Sequence, residues 1–204
     1  MHFSWLGGTA VKIQAKPFDE DISIVIDPYK PEKGEFPRSL TPHIALYTRS
    51  EQDSITLSGT PFVLTTPGEC ETKGVLITSI QGSKPGETIV RIDAEQLSVA
   101  HLGMVKTQLT EAQLESLGDV DVLFVPVGSG ETYDAEAAMK AVNAIEPRVV
   151  IPIAYKSDNE PDAAPVQTFL KEMGASNVAE EKKIIIKKKD LPQDETKVMV
   201  LAKE

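Results

Sequence analysis

The sequence predicts an α+β fold in which two β-sheets pack together and helices cover the outside. Short apolar runs separated by turn residues dominate residues 1–93, which is typical of β-sheets. From residue 96 onward, apolar runs alternate with segments of helical spacing, which is typical of strand–helix–strand units. No repeat or change of composition divides the 204 residues, so we expect a single domain over residues 1–204.

The clearest unit is a strand–helix–strand segment at residues 96–130. An apolar run at residues 97–101 ends at His101, and a longer one covers residues 120–127. Between them, Thr110 and Gln113 have the spacing of a helix capping box. Strands joined through a helix run parallel, so both strands should end at the same edge of a sheet.

The first half of the chain predicts mainly strands and turns. Pro67-Gly68-Glu69 predicts a turn, and the proline-rich residues 29–42 predict a surface loop. Strands are predicted by the apolar runs at residues 3–6, 11–14, 22–26, 44–48, 62–64, 74–80 and 88–93.

The second half adds two helices and the last strands. Residues 135–145 predict a helix capped by Asp134, and residues 165–173 predict one that starts on proline. Residues 148–153 predict a strand. We expect residues 182–189 and 197–201 to form a terminal pair of strands, in which lysines discourage edge-to-edge association.

Composition and charge exclude several classes of function. The net charge of -10 opposes non-specific nucleic-acid binding, so we expect no nucleic-acid partner. No apolar run approaches the roughly 18–20 residues of a membrane span, and the first residues lack the features of a signal peptide. The single cysteine excludes an internal disulfide and fits a reducing cytoplasm. The sequence leaves open whether the protein forms a homo-oligomer.

Several motifs together resemble the metallo-β-lactamase fold, in its small subgroup of metal-dependent hydrolases. They follow the family's order over nearly the whole chain and include Trp5-Leu6-Gly7-Gly8, Ile26-Asp27-Pro28, His101-Leu102-Gly103, Pro126-Val127-Gly128 and Ile151-Pro152-Ile153-Ala154. The resemblance implies a four-layer αβ/βα sandwich that holds zinc or manganese between its sheets. It also implies a metal-bound water that hydrolyses esters, amides or phosphodiesters.

Most positions at which the family carries metal ligands have other residues in this chain. Histidines or aspartates of the family are replaced at Gly8, Arg49, Glu51, Ser54, Met104 and Ala154. Only Asp53 and His101 keep the family's residue type. We expect a residual pocket surrounded by Gly8, Arg49, Glu51, Asp53, His101, Met104 and Ala154.

The remaining ligand set is poor for zinc. A catalytic zinc generally needs about three protein ligands and an open position for water. Glu51, Asp53 and His101 offer one imidazole and two carboxylates, which would favour manganese or magnesium. Arg49 would repel a dication, but it can pair with either carboxylate. We therefore expect that an arginine–carboxylate cluster has replaced the ion and that no cofactor is held.

These observations favour a catalytically degenerate member of the family with a binding or structural role. Its ligand would be a small anion at the edge formed by Arg49 and Gly128, or a protein partner. Backbone N–H groups of residues 128–132, before a helix, could help to hold an anion. The alternative is a hydrolase that holds Mn or Zn through Glu51, Asp53 and His101.

A third hypothesis is hydrolysis without metal, through Cys70 or His101. The carboxylates on either side of Cys70 raise the pKa of its thiol, which disfavours a nucleophile. For His101, a buried imidazole that is hydrogen-bonded to the backbone is the ordinary alternative to a general base.

Overall fold

The computed structural model describes residues 1–49, 54–175 and 177–204, and it confirms the predicted α+β sandwich. The strands are β1 His2–Gly7, β2 Ala10–Ala15, β3 Ile22–Ile26, β4 Ser39–Leu40, β5 Ile44–Leu46, β6 Thr56–Leu57, β7 Phe62–Leu64, β8 Gly68–Thr72, β9 Val75–Gln81, β10 Thr88–Ala94, β11 Leu97–His101, β12 Val122–Pro126, β13 Val149–Ile153, β14 Glu180–Glu181, β15 Ile184–Ile185, β16 Lys197–Val198 and β17 Val200–Leu201. The helices are α1 Glu111–Leu117, α2 Ala135–Ile145 and α3 Val166–Glu172.

Two large sheets form the body of the molecule. One has six strands in the order β15-β1-β2-β3-β5-β7, and the other has seven in the order β16-β13-β12-β11-β10-β9-β8. As expected, β11 and β12 are parallel, and His101 lies opposite Phe124. In the first sheet β3 and β5 are also parallel, so the residues that follow Ile26 and Leu46 emerge at the same edge.

The hydrophobic core lies between the two sheets. Alternation along β1 and β3 turns Trp5, Ile24 and Ile26 toward this core. Phe3 of the six-stranded sheet meets Phe124 of the seven-stranded sheet edge to face, with ring centroids 5.6 Å apart. Aromatic and branched side chains from both sheets therefore hold the two layers together.

The opposite face of the six-stranded sheet carries a smaller apolar cluster. Leu6, Ala10 and Val25 alternate with the core residues and lie on this outer face. Tyr29 and Phe36, from the predicted surface loop, pack against them. The loop is therefore a covering layer of the sheet, and it positions Tyr29 for the site described below.

Helices α1 and α2 have the N-terminal caps that the sequence predicts, whereas α3 is one residue shorter at each end than the predicted 165–173, with Pro165 as its N-cap. Thr110 and Gln113 form the capping box of α1, and the Asp134 carboxylate accepts the N–H of Ala137 at the start of α2. Helix α2 packs on β12 and against α3. No helix in the described ranges is both long and apolar enough to cross a membrane.

The predicted turn at Pro67-Gly68-Glu69 is wrong, because Gly68 begins the edge strand β8. The true turn lies at Lys73 and Gly74, where both residues have positive φ angles of 54° and 72°. Positive φ at two central residues is the geometry of a tight hairpin, and this turn pairs β8 with β9. The glutamates of β8 concealed the strand, since they have low strand propensity.

The predicted terminal pair of strands is also wrong. Within residues 182–189, only Ile184–Ile185 forms a strand, and it pairs with β1 at the edge of the six-stranded sheet. Residues 197–201 divide into β16, which pairs with β13, and β17, which pairs with β14. The two terminal segments therefore join different sheets and do not pair with each other.

Candidate functional site

A cavity of about 700 Å³ lies where the chain leaves the parallel strands β3 and β5. Tyr29 follows β3 and Arg49 follows β5, so the parallel pairing brings both residues to the same edge of the sheet. The residues that line the cavity come from these two segments and from a third after β13: Tyr29, Lys30, Pro31, Glu32, Lys33, Arg49, Asn159, Glu160, Pro161 and Asp162.

Arg49 lies over the aromatic ring of Tyr29, with its guanidinium carbon 4.9 Å from the ring centroid. This is a cation–π contact, which the planar guanidinium makes well. Glu160 lies nearby as a half-buried carboxylate. Burial raises the pKa of Glu160, and the positive charge of Arg49 acts in the opposite direction.

Gly8 occupies the first position at which the family resemblance implies a metal-binding histidine. Its φ is +51°, and a Cβ atom built there would lie only 2.5 Å from the hydroxyl oxygen of Tyr29. The same Cβ would lie 3.2 Å from Oε1 of Glu160. The space into which a side chain at position 8 would project is therefore filled by Tyr29 and bordered by Glu160.

The turn at Gly8 is fixed by hydrogen bonds to its carbonyl oxygen. Nε1 of Trp5 donates to it at 2.8 Å, and the backbone N–H of Ala154 donates at 2.9 Å. Ala154 has a positive φ of 57°, and a Cβ at Gly128 would lie 1.9 Å from its carbonyl oxygen. Close backbone packing thus joins Gly8, Ala154 and Gly128, and it explains why position 128 requires glycine.

His101 is completely buried, and both of its ring nitrogens are bonded to the backbone. Nδ1 accepts the N–H of Gly103 at 3.0 Å, and Nε2 lies 2.9 Å from the carbonyl oxygen of Thr9. These partners assign the proton to Nε2 in a neutral ring. Burial lowers the pKa of His101, while the negative charge of Asp27 opposes that shift.

Asp27 is buried and is held by Thr48. The backbone N–H of Thr48 donates to Oδ1 at 2.7 Å, and its hydroxyl donates to Oδ2. Thr48 also contacts Gly103, where a Cβ atom would lie 2.6 Å from the threonine hydroxyl oxygen. A buried polar network of Asp27, Thr48 and the turn after His101 therefore underlies the site.

The structure brings together only some of the residues predicted to form a residual pocket. Ala154 and His101 both contact the turn formed by Gly8 and Thr9. Arg49 lies over the ring of Tyr29, and the hydroxyl of Tyr29 borders this turn at Gly8. Met104 is half-buried in the turn after Gly103, and Ser54 forms a bridge with Tyr29. The predicted residues Glu51 and Asp53 lie outside the described residues, as does their predicted pairing with Arg49.

Sequence reasoning missed three residues that define the cavity: Tyr29, Asn159 and Glu160. Tyr29 stands directly after the Ile26-Asp27-Pro28 motif, and this adjacency was the available signal. Asn159 and Glu160 follow the last family motif in a polar segment that carries no signal of its own. Their approach to Tyr29 depends on how the segment after β13 packs.

The predicted anion site at residues 128–132 is not supported by the hydrogen bonding of that loop. The N–H of Ser129 donates to Tyr133, and the N–H of Thr132 donates back to Ser129. Asp134 supplies the cap of the helix that follows. Gly128 packs against Ala154 and does not line the cavity that contains Arg49.

Cys70 lies on the edge strand β8 and is half-buried. Burial raises the pKa of its thiol, and the negative charge of Glu69 raises it further. The thiol is therefore mainly protonated at neutral pH. This chemistry disfavours the hypothesis of a cysteine nucleophile.

A family model described as the Beta-lactamase superfamily domain matches residues 2–154. The chain belongs to this superfamily. It is similar to a UPF0173 metal-dependent hydrolase of Methanopyrus kandleri, with 23% identity over 197 residues that cover 76% of this chain and 84% of the relative. A UPF0173 protein of Pyrococcus furiosus is 39% identical over 75 residues, which cover 37% of this chain and 33% of the relative.

Solved structures of the superfamily share this fold. A candidate Zn-dependent hydrolase of the metallo-beta-lactamase superfamily from Thermotoga maritima superposes with a TM-score of 0.82 at 25% identity, covering 98% of each chain. Igni18, a metallo hydrolase from Ignicoccus hospitalis, superposes with a TM-score of 0.64 at 17% identity, covering 91% of this chain and 99% of the neighbour. These findings confirm the predicted family and its fold.

The residues described here do not fit the metal that the family implies. Both nitrogens of His101 are engaged with the backbone, so a metal bond at either one would displace a hydrogen bond. In the described part of the chain, no group of three or more histidine, cysteine or acidic side chains is placed to hold an ion. Tyr29 occupies the space that a side chain at Gly8, the first expected ligand position, would need.

Proposed function

We propose that this chain is a metal-independent member of the beta-lactamase superfamily that binds a small molecule and does not carry out metal-dependent hydrolysis. The main support is the hydrogen bonding of His101, because Gly103 and Thr9 already engage both ring nitrogens. Metal coordination by the ring would leave a buried backbone group without its partner, which is unfavourable.

The cavity beside Tyr29 and Arg49 supports the binding role. Its volume of about 700 Å³ falls within the range of small-molecule sites. An aromatic ring, a guanidinium and the half-buried Glu160 carboxylate meet there, which combines an apolar surface with groups that can orient a ligand. The pairing of Arg49 with Glu51 or Asp53 stays a prediction, and it would complete the replacement of the ion by charged side chains.

Metal analysis of protein purified without a chelator tests this proposal. We expect substoichiometric metal and no rise in melting temperature when Mn²⁺ or Zn²⁺ is added. The His101→Gln and Asp53→Asn variants should then respond to metal as the parent protein does. A stoichiometric ion that is lost in either variant would overturn the proposal and favour a hydrolase that uses Glu51, Asp53 and His101.

A further inference from the structure

A second cavity, of about 660 Å³, lies at the other end of the strands that lead to Tyr29 and Arg49. Ile22 begins β3 and His43 directly precedes β5, and both residues line this second cavity. Tyr29 and Arg49 follow the ends of the same two strands. Because β3 and β5 are parallel, their starts and their ends lie on opposite sides of the molecule. The two cavities are therefore separate sites.

Three lysines that line the second cavity have no carboxylate partner. Lys16, Lys183 and Lys187 form no ion pair with any residue in the described ranges. The ammonium of Lys183 donates to the side-chain oxygen of Gln14 at 2.7 Å. This amide is neutral, so the bond places the positive charge beside β2 without cancelling it.

The two carboxylates at the second cavity, Asp21 and Glu95, offset only part of this charge. Oε2 of Glu95 lies 3.1 Å from the N-terminal ammonium of Met1, and Oε1 accepts the backbone N–H of Lys16 at 2.5 Å. The charge of Glu95 is therefore already matched, which leaves Asp21 alone against the three lysines. The second cavity thus has an excess of about two positive charges, in a chain whose net charge is -10.

Two histidines, His2 and His43, line the second cavity as well. Nδ1 of His43 accepts the backbone N–H of Ser23 at 3.0 Å, so the proton of its neutral ring lies on Nε2 and adds an N–H donor. Burial lowers the pKa of His2, and the positive charge of Lys183 lowers it further, although Glu95 acts in the opposite direction. An anion at this place would therefore meet several N–H donors and a positive potential.

We propose that the second cavity binds a phosphate group, free or as a small monoester, through its three lysines and His43. A phosphate dianion carries the charge that offsets the excess, and its oxygen atoms accept hydrogen bonds from ammonium and imidazole N–H groups. Ile185 lies opposite His2 at the sheet edge and is 55% exposed, so it offers an apolar surface to the organic part of a monoester. This inference does not rest on the proposed function.

Calorimetric titration at pH 8 with phenyl phosphate, inorganic phosphate and benzoate tests the inference. We expect both phosphates to bind, and benzoate, which has the same ring and a single charge, to bind about tenfold more weakly or not at all. Tighter binding of phenyl phosphate would identify a monoester as the ligand, whereas equal affinities would identify free phosphate. Failure of both phosphates to bind, or binding of benzoate as tight as that of phenyl phosphate, would overturn the inference.

The double variant Lys183→Gln, Lys187→Gln should weaken phosphate binding about tenfold or more, because it removes two charged donors. The matched control is Lys182→Gln, Lys189→Gln, since these exposed lysines belong to the same segment, lie outside the second cavity and change the net charge equally. This control should leave the affinity within about twofold, because distant exposed charges are screened by salt.

Equal losses in the two double variants would show a general effect of charge and would overturn the site. Loss of phosphate binding in Arg49→Gln, with none in Lys183→Gln, Lys187→Gln, would place the anion in the cavity beside Tyr29 and would also overturn it. Stoichiometric metal in the purified protein would instead overturn the proposed function, and the comparison of the two double variants would still decide this inference.

Discussion

The hydroxyl oxygen of Tyr29 lies 2.5 Å from the place that a Cβ atom on Gly8 would occupy. With Tyr29 in this position, a side chain at position 8 has no room unless the tyrosine moves. Because the family resemblance implies a metal-binding histidine at position 8, the position of Tyr29 is incompatible with that ligand. Tyr29 thus occupies the space in which the family resemblance implies a ligand side chain.

Gly8→Ala should destabilise the protein by more than its backbone conformation alone requires. Alanine at a positive φ costs about 1–2 kcal/mol, and crowding against the Tyr29 hydroxyl should add about 1–3 kcal/mol. The free energy of unfolding from urea titration measures the sum.

Gly130→Ala is the control for Gly8→Ala, because Gly130 has a φ of +66° and no atom within 4 Å of its Cβ position. It should show the backbone cost alone. Adding Tyr29→Phe to Gly8→Ala should recover part of the loss, since the closest atom is removed. If Gly8→Ala costs no more than Gly130→Ala, the steric account of position 8 is wrong.

His101 should make the protein less stable as the pH falls below about 6.5, the usual pKa of histidine. Its pKa in the folded state is lowered by burial, so the unfolded state takes up the proton first and is stabilised by it. The free energy of unfolding should fall by about 1.4 kcal/mol per pH unit until the folded-state pKa is reached.

Urea titrations between pH 7.5 and 5.0 check this slope in the parent protein and in His101→Gln. Glutamine keeps an N–H donor and does not titrate, so the variant should lose this part of the pH dependence. Glu160, whose pKa is raised, changes stability in the opposite direction, but it is present in both proteins and cancels in the difference. Identical slopes in the two proteins would contradict a neutral, buried His101.

Local signals in the sequence were sufficient to predict the strands and helices that have a regular apolar pattern. The strands Ile22–Ile26 and Leu97–His101 and the helix Ala135–Ile145 were predicted with the bounds that the structure has. Each has a largely apolar pattern or a capping residue at its start. Strand β8 was missed because its glutamates have low strand propensity, although Gly74 favours the positive φ of the turn that follows.

The site was predictable only where it coincides with family motifs. Those motifs identified Gly8, His101 and Ala154, which the structure brings to one turn. The contact between Gly8 and Tyr29 depends on the parallel pairing of β3 with β5 and on a loop that covers the sheet. Such relations between distant segments are set by tertiary packing, which spacing in the sequence does not encode.

Thr48→Val should destabilise the protein by about 2–3 kcal/mol, because it removes a hydrogen bond to the buried carboxylate of Asp27. Valine has nearly the shape of threonine, so packing changes little. Thr48→Ser is the control, since it keeps the hydroxyl and loses only a methyl group, at about 1 kcal/mol. Thermal or urea unfolding measures both losses. Equal losses in the two variants would show that the hydroxyl does not stabilise Asp27.

Arg49→Ala should lower stability far more than removal of an arginine from the surface. The contact of Arg49 with the Tyr29 ring accounts for about 0.5–2 kcal/mol. If Arg49 also pairs with a buried carboxylate, as the sequence predicts for Glu51 or Asp53, the loss should reach about 3–5 kcal/mol. The melting temperature and the free energy of unfolding measure the effect.

Arg38→Ala is the control for Arg49→Ala, because Arg38 is exposed and its loss should change stability by no more than about 0.5 kcal/mol. A double-mutant cycle with Asp53→Asn separates the two contributions of Arg49, since only a direct pairing gives a coupling energy above about 0.5 kcal/mol. Coupling to Asp53 would support the replacement of the ion by an arginine–carboxylate cluster. A melting temperature unchanged by Arg49→Ala would exclude that cluster, because a buried carboxylate left without its cation must destabilise the folded state.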